Sequence, residues 1–231
     1  LRLVGSEMCI RDSINIGDAQ SALNQQISGC LSADQLIKYG STRIVFGKDI
    51  TNSYSSPSVA ENNPTTILVK VSHVAARLDF SQFDVTLKGF EGNPTVVFDE
   101  AKFVNLQQNG KIVEGDASVN VKDGAFLNRS NRIGTRWTDM GTAYGYANQY
   151  RQDSEMNTAL YVKFTVDGRT FEKTYPINPA GITKEVDHNG IKGGYLYDIK
   201  VRWTITPDWG DSTIEFYTRD WVHNSIPEIV L

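Results

Sequence analysis

The chain has 231 residues, of which 40% are hydrophobic and 22% charged, the balance of a globular protein with enough apolar material for a packed core. A net charge of −4, with Lys and Arg scattered, lacks the basic surplus that neutralises phosphates and argues against nucleic acid as a partner. Cys9 and Cys30 are too few for a disulfide framework or a four-ligand zinc site, and no apolar run approaches the roughly 18 residues that a membrane-spanning helix needs.

The chain starts at Leu1 rather than Met, and residues 1–13 carry no periodicity that continues into the residues after Ser13. Ser6-Glu7-Met8-Cys9-Ile10-Arg11-Asp12-Ser13 resembles a leader found at the ends of proteins translated from raw sequence assemblies. Residues 1–13 are therefore set aside as non-native, and the chain is read as a fragment. From Asp18 to Leu36, the apolar residues Ala19, Ala22, Leu23, Ile27 and Leu31 recur at three- and four-residue steps and predict a short helix. Ile27-Ser28-Gly29-Cys30 has the letters of a lipoprotein cleavage site, but Asn24-Gln25-Gln26 stands where an apolar stretch belongs.

Strands dominate the rest. Ile67, Val69 and Val71 alternate with Leu68, Lys70 and Ser72, and Val74, Ala76, Leu78 and Phe80 alternate with His73, Ala75, Arg77 and Asp79, with the apolar parity flipping near Ser72. A flip without a turn residue predicts a β-bulge or a strand that crosses between sheets. Further strands are expected at 84–88, 95–98 and 101–106. Residues 128–157 are polar and Gly-bearing, with aromatic residues in no clear period, and read as a long loop or irregular insert. Leu160, Val162, Phe164 and Val166 share a face before Asp167-Gly168 turns the chain into Arg169 to Tyr175, a hairpin signal. Tyr197, Ile199, Val201, Trp203 and Ile205 then predict a strand half-buried in an antiparallel sheet. Residues 212–218 predict another, with Ile214 and Phe216 inward. Short alternating strands with almost no helix point to an all-β fold of sandwich domains, and a break near residues 107–115 divides the chain in two.

Chemistry finds no anchor. His73, His188 and His223 show no paired helical spacing for zinc, and no nucleophile elbow or phosphate-binding loop is present, so no catalytic residue, metal site or cofactor is assigned and the chain is read as a non-enzyme. His188 lies in Asp187-His188-Asn189-Gly190, which reads as a turn. Asp99 and Glu100, adjacent on a strand, are expected to point to opposite faces. Asp208, Asp211 and Glu215 are either solvated turn carboxylates or calcium ligands that a carbohydrate-active enzyme would need to converge. Trp137, Tyr144, Tyr146 and Tyr150 are candidate ligand contacts on a glycan- or protein-binding surface, unless these rings fold back over the end of a sandwich. Asn128-Arg129-Ser130 has the letters of a glycosylation site and is read as chance.

The stretch Ile67-Leu68-Val69-Lys70-Val71-Ser72-His73-Val74-Ala75-Ala76-Arg77-Leu78-Asp79-Phe80 resembles a pattern of the fimbrillins of Bacteroidetes, in which a strand closing the N-terminal domain runs from alternating valines to Arg and Val-Ala-Arg. His73 stands where that family usually has Arg. Phe83 to Leu87, Ala101 to Leu106, Leu160 to Tyr175 and Tyr195 to Val201 are similar to the family's continuation, with Lys192-Gly193-Gly194 in place of its usual Arg-Asn. The resemblance implies tandem β-sandwich domains of a transthyretin-like or immunoglobulin-like Greek-key kind. It places a first, incomplete domain at 14–106 and a second at 107–231. It further implies export as a lipoprotein, attachment to the outer membrane, and assembly into surface fimbriae by strand complementation with other subunits. A host or bacterial surface protein or glycan is a further implied partner. The tail 211–231, with Ile214, Phe216, Trp221, Ile226 and Ile229, is the candidate donor strand, or else an ordinary last strand with a frayed end.

Overall fold

The computed structural model describes residues 36, 38–39, 66–67, 70–110, 121–123, 132–180, 188–208, 210–220, 224–225 and 229–230. The leader, the expected helix over 18–36, the cleavage-site letters and Asn128-Arg129-Ser130 lie outside these residues, apart from Leu36. Within them the structure is all-β: β1 (Lys38–Tyr39), β2 (Thr66–Ile67), β3 (Lys70–His73), β4 (Ala76–Leu87), β5 (Val96–Val104), β6 (Leu106–Gln107), β7 (Val121–Lys122), β8 (Arg132–Ile133), β9 (Arg136–Gly145), β10 (Asn148–Gln149), β11 (Ala159–Val166), β12 (Arg169–Pro176), β13 (Gly190–Ile191), β14 (Tyr195–Ile205), β15 (Gly210–Asp220), β16 (Asn224–Ser225) and β17 (Ile229–Val230). Among the described residues no helix is long and apolar enough to cross a membrane.

Two four-stranded sheets form the body. One has the order β12-β11-β5-β8 and the other β15-β14-β4-β9. Period-two alternation supplies each strand with one apolar face, and the two faces meet in a single core containing Leu78, Phe80, Phe83, Phe98, Phe103, Leu160, Val162, Phe164, Tyr197, Ile199 and Val201. Phe83 is the centre of that core: its ring lies 5.3 Å from Trp137, 5.3 Å from Phe164, 5.4 Å from Phe98 and 6.3 Å from Phe80, drawing together strands of both sheets.

The expected division at 106/107 cuts through this body. β4 and β5, before it, pair with β9, β11 and β14, after it, and one core spans the boundary, so the described residues do not form two separate sandwiches there. Of the stretch expected to close a first domain, the part from Ala76 enters the sandwich as β4, whereas Ile67 belongs to β2 and Lys70–His73 to β3. The parity flip, expected near Ser72, falls at Ala75 and Ala76, which are both buried, where the chain leaves the sheet β1-β3-β16 for the sheet of β4.

Three further differences have local causes. The strands expected at 95–98 and 101–106 are largely one, β5. Its register against β11 slips between Lys163 and Phe164 and leaves Asp99 as an extra residue. That bulge cancels the alternation, so Asp99 and Glu100 both stay outside the core rather than on opposite faces. The expected loop over 128–157 contains the ten-residue β9, an edge strand that buries Trp137 and Met140. Its pattern is illegible because Asp139 and Met140 together oppose the bulged Ser81 of β4, with Asp139 at φ 52°. Finally, β14 pairs antiparallel with β15 but parallel with β4, so the sheet is mixed. Alternation reports burial and not strand direction.

The Asp167-Gly168 hairpin forms with Val166 opposite Arg169 and φ values of 45° and 82° at the two turn residues, the left-handed pair such a turn requires. Entry into β14 is equally constrained. A Cβ on Gly193 would lie 2.1 Å from the Val74 carbonyl oxygen, and Gly194, at φ 78°, donates its N–H to Ala75 O at 3.0 Å. Lys192-Gly193-Gly194 thus lets β14 start against the start of β4.

Phe83→Ala is expected to cost about 3–5 kcal/mol in a denaturant titration, because a central ring is lost from a core that cannot collapse around it. Gly193→Ala, which adds one methyl against backbone, is expected to lower stability by about 1–3 kcal/mol, measured in the same way.

Candidate functional site

The tail offered as donor strand divides into two parts. Residues 210–220 form β15, which pairs along its whole length with β14. Ile214 stands opposite Val201 and packs on the core, and Phe216 takes the register position opposite Ile199. This part completes the chain's own sheet, so the full span 211–231 does not stand free as a donor. Beyond it, β16 pairs antiparallel with β3 (Asn224 with Val71, Ser225 with Lys70) and β17 with β2 (Ile229 with Ile67, Val230 with Thr66). Both short pairings run the end of the chain back along the segment that leads into β4. Trp221 and Ile226 lie outside the described residues.

The candidate contact rings do not form one surface. Trp137 is 3% exposed and packs on Phe83 and Phe98, and Tyr146 is 4% exposed in a small second cluster with Leu36, Ala75 and Leu196. Tyr144 is half-buried against that cluster, and Tyr150 is half-buried in the following loop. Trp137 and Tyr146 are therefore core residues, and only Tyr144 and Tyr150 keep surface for a ligand.

The outward face of the sheet β15-β14-β4-β9 carries charge across all four strands. Asp84 on β4 lies between Arg136 on β9, at 3.5 Å, and Arg202 on β14, at 3.7 Å, and Arg202 also pairs with Glu215 on β15 at 2.7 Å. Glu215 further accepts the Tyr217 hydroxyl at 3.1 Å, and Asp211 accepts the N–H of Ser212. Among the described residues no group of three His, Cys, Asp or Glu side chains is arranged to hold a metal ion.

A polar hub that sequence reasoning missed fixes the loops at one end of the sandwich. The buried Asn148 side chain donates to Met156 O and to Thr158 Oγ1, each at 3.0 Å, while Thr158 Oγ1 donates to Asn105 O at 2.8 Å. Asn157 donates to Arg151 O at 2.7 Å and accepts the Arg151 N–H at 2.9 Å. Asn178, fully buried at φ 47°, donates to His188 O and Gly190 O. Buried amides must find partners, and these find them in the backbone of the loops. His188 Nε2 meets Tyr197 Oη at 2.8 Å, and that oxygen also accepts the Lys192 N–H. No sequence signal marked the hub, because Asn105, Asn148, Asn157 and Asn178 are single residues scattered along the chain.

Burial raises three phenols above their ordinary range. Tyr175 is pushed up to about 12 by burial, and Tyr161 to about 12 by burial and then by its hydrogen bond to Glu172. Burial also pushes up Tyr197. The neutral phenols are favoured in the folded state, so the unfolded chain releases these protons first. Their contribution is intact below about pH 10 and is lost between about 10 and 12. Phenolate absorbance titrated alongside the denaturant midpoint is expected to show stability falling through that window, and Tyr175→Phe is expected to reduce the fall.

The sandwich is similar to that of a candidate cell adhesion protein from Parabacteroides distasonis, with 20% identity and a TM-score of 0.53 over 65% of this chain and 53% of that one. Two weaker likenesses carry no argument. One is to a candidate cell adhesion protein from Bacteroides eggerthii, with 16% identity and a TM-score of 0.40 over 66% of this chain and 57% of that one. The other is to the tip fimbrial protein Mfa3 from Porphyromonas gingivalis with C-terminal truncation, with 12% identity and a TM-score of 0.38 over 65% and 52%. This chain spans little more than half the length of each. No protein-family model and no curated protein matches it. At 20% identity, the first likeness establishes the β-sandwich fold.

Proposed function

We propose that the chain is a structural subunit of a cell-surface fimbria of the Bacteroidetes fimbrillin kind, polymerising with other subunits, contributing to adhesion and performing no catalysis. The single observation that carries this reading is the pairing of β16 and β17 with β3 and β2. Outside the sandwich, the end of the chain is held along the segment leading into β4 by a main-chain ladder. A ladder of that kind is transferable, because the same segment of a second copy offers the same N–H and C=O groups in the same order.

The donor is accordingly taken as the part beyond Asp220, since residues before it complete the sheet of β14. The resemblance of Ile67 to Phe80 to the fimbrillin pattern and the sandwich shared with a candidate cell adhesion protein support the same role. In this reading the protein is extracellular and attached to the outer membrane. A host or bacterial surface protein or glycan is the target of the assembled fimbria.

A chain ending at Asp220 is expected to melt several degrees lower than the intact chain, to recover on addition of a peptide spanning Trp221 to Leu231, and to lose the detergent-resistant oligomers of the intact chain. No shift with peptide, together with a monomeric intact chain, would remove the tail as donor.

A further inference from the structure

The core-facing positions of β12 are Arg169, Phe171, Lys173 and Tyr175, in register with Val166, Phe164, Val162 and Leu160 of β11, all of which are buried. An edge strand opposite four apolar residues is expected to continue their face. Phe171 and Tyr175 do, but the alternate positions are cations, and both Arg169 and Lys173 are exposed. Lys173 Nζ donates to Ser212 Oγ of β15 at 3.0 Å and lies 5.3 Å from the centre of the Tyr175 ring. Arg169 donates to Pro207 O at 3.1 Å, its guanidinium 4.9 Å from the centre of the Phe171 ring.

These contacts span the gap between β12 and β15, the edge strands of the two sheets on the same flank. The other flank is crossed by the main chain itself, which passes from β8 to β9 through Gly134 and Thr135, with Gly134 donating to Val96 O and Thr135 O accepting from Val85. Along the β12 flank the bridges described are donated by side chains, Lys173 to a side chain and Arg169 to a main-chain carbonyl.

An eight-residue edge strand beside a hairpin is a ready template for a strand from another molecule. We infer that Lys173, aided by Arg169, guards this edge against pairing with a second copy of the chain. A strand laid beside β12 would add its own inward side chains next to the Lys173 ammonium, strip its water and leave a charge against apolar groups, which opposes the pairing. The inference is independent of the fimbrial reading, since it concerns which flank of the sandwich is closed to strand addition whatever the protein assembles into.

The test is the self-association of the full-length chain by sedimentation, paired with amide exchange over 169–176. Lys173→Val and Lys173→Gln each remove the charge, the second while keeping a polar stem, so a packing failure in one leaves the other informative. Each is expected to raise the association constant at least about tenfold, equivalent to about 1.4 kcal/mol. Exchange of β12 amides is expected to slow as protein concentration rises, whereas Lys173→Arg is expected to behave as the parent. Neutral variants that are folded and associate no more than the parent overturn the inference. So does association that leaves exchange in 169–176 independent of concentration.

Discussion

The structure depends on the contact of Phe83 with rings from both sheets. Its position on β4 is set by the bulge at Ser81, two residues earlier, where β4 slips register against both neighbours and the Ser81 hydroxyl donates to Ile199 O at 3.2 Å. Without the extra residue, Phe80 and Phe83 would fall on opposite faces of the strand. With it, both rings point inward, and Phe83 meets Phe98 and Phe164 of the facing sheet. The matching irregularity on β9, with Asp139 at positive φ, lets Trp137 and Met140 follow the same face. Paired irregularities across β4 and β9 are thus what allow these large inner residues to share one layer.

The parallel pairing of β4 with β14 governs the rest of the topology. A parallel neighbour cannot be reached by a tight turn, so the chain between these strands builds the whole of β5, β9, β11 and β12 before returning. Its return is fixed by Gly193, whose α-carbon approaches Val74 closely enough to exclude any side chain. The junction where β4 begins is therefore also where β14 begins. Just upstream, Thr66–Ile67 and Lys70–Val71 lie beyond the sandwich and meet β17 and β16 there.

The two flanks of the sandwich differ in kind. At the β8 and β9 flank the backbone crosses between sheets, whereas at the β12 and β15 flank cations and their hydrogen bonds do. A side-chain closure keeps the edge wet and charged, which resists unwanted pairing without adding a covering element. The ion pairs across the outer face of the other sheet, centred on Asp84, tie four strands together but are too exposed to dominate stability.

Alternation determined the all-β class and the inward faces of β11 and β14, and with the Asp167-Gly168 turn residues it determined the hairpin, because period two is a local property that burial imposes directly on sequence. Sequence also located the parity flip before β4. It could not locate β9, whose alternation is cancelled by the residues opposite Ser81, nor show that Trp137 and Tyr146 are core rather than contact rings. Whether an aromatic side chain is buried depends on what the opposite sheet brings to it. The partition of the tail was hidden for the same reason. Ile214 reads identically as a donor residue or as a member of its own sheet, and only the complete ladder of β15 on β14 assigns it to the second. Direction of pairing, bulge partners and strand edges are relations between segments distant in the chain, so tertiary structure alone decided them.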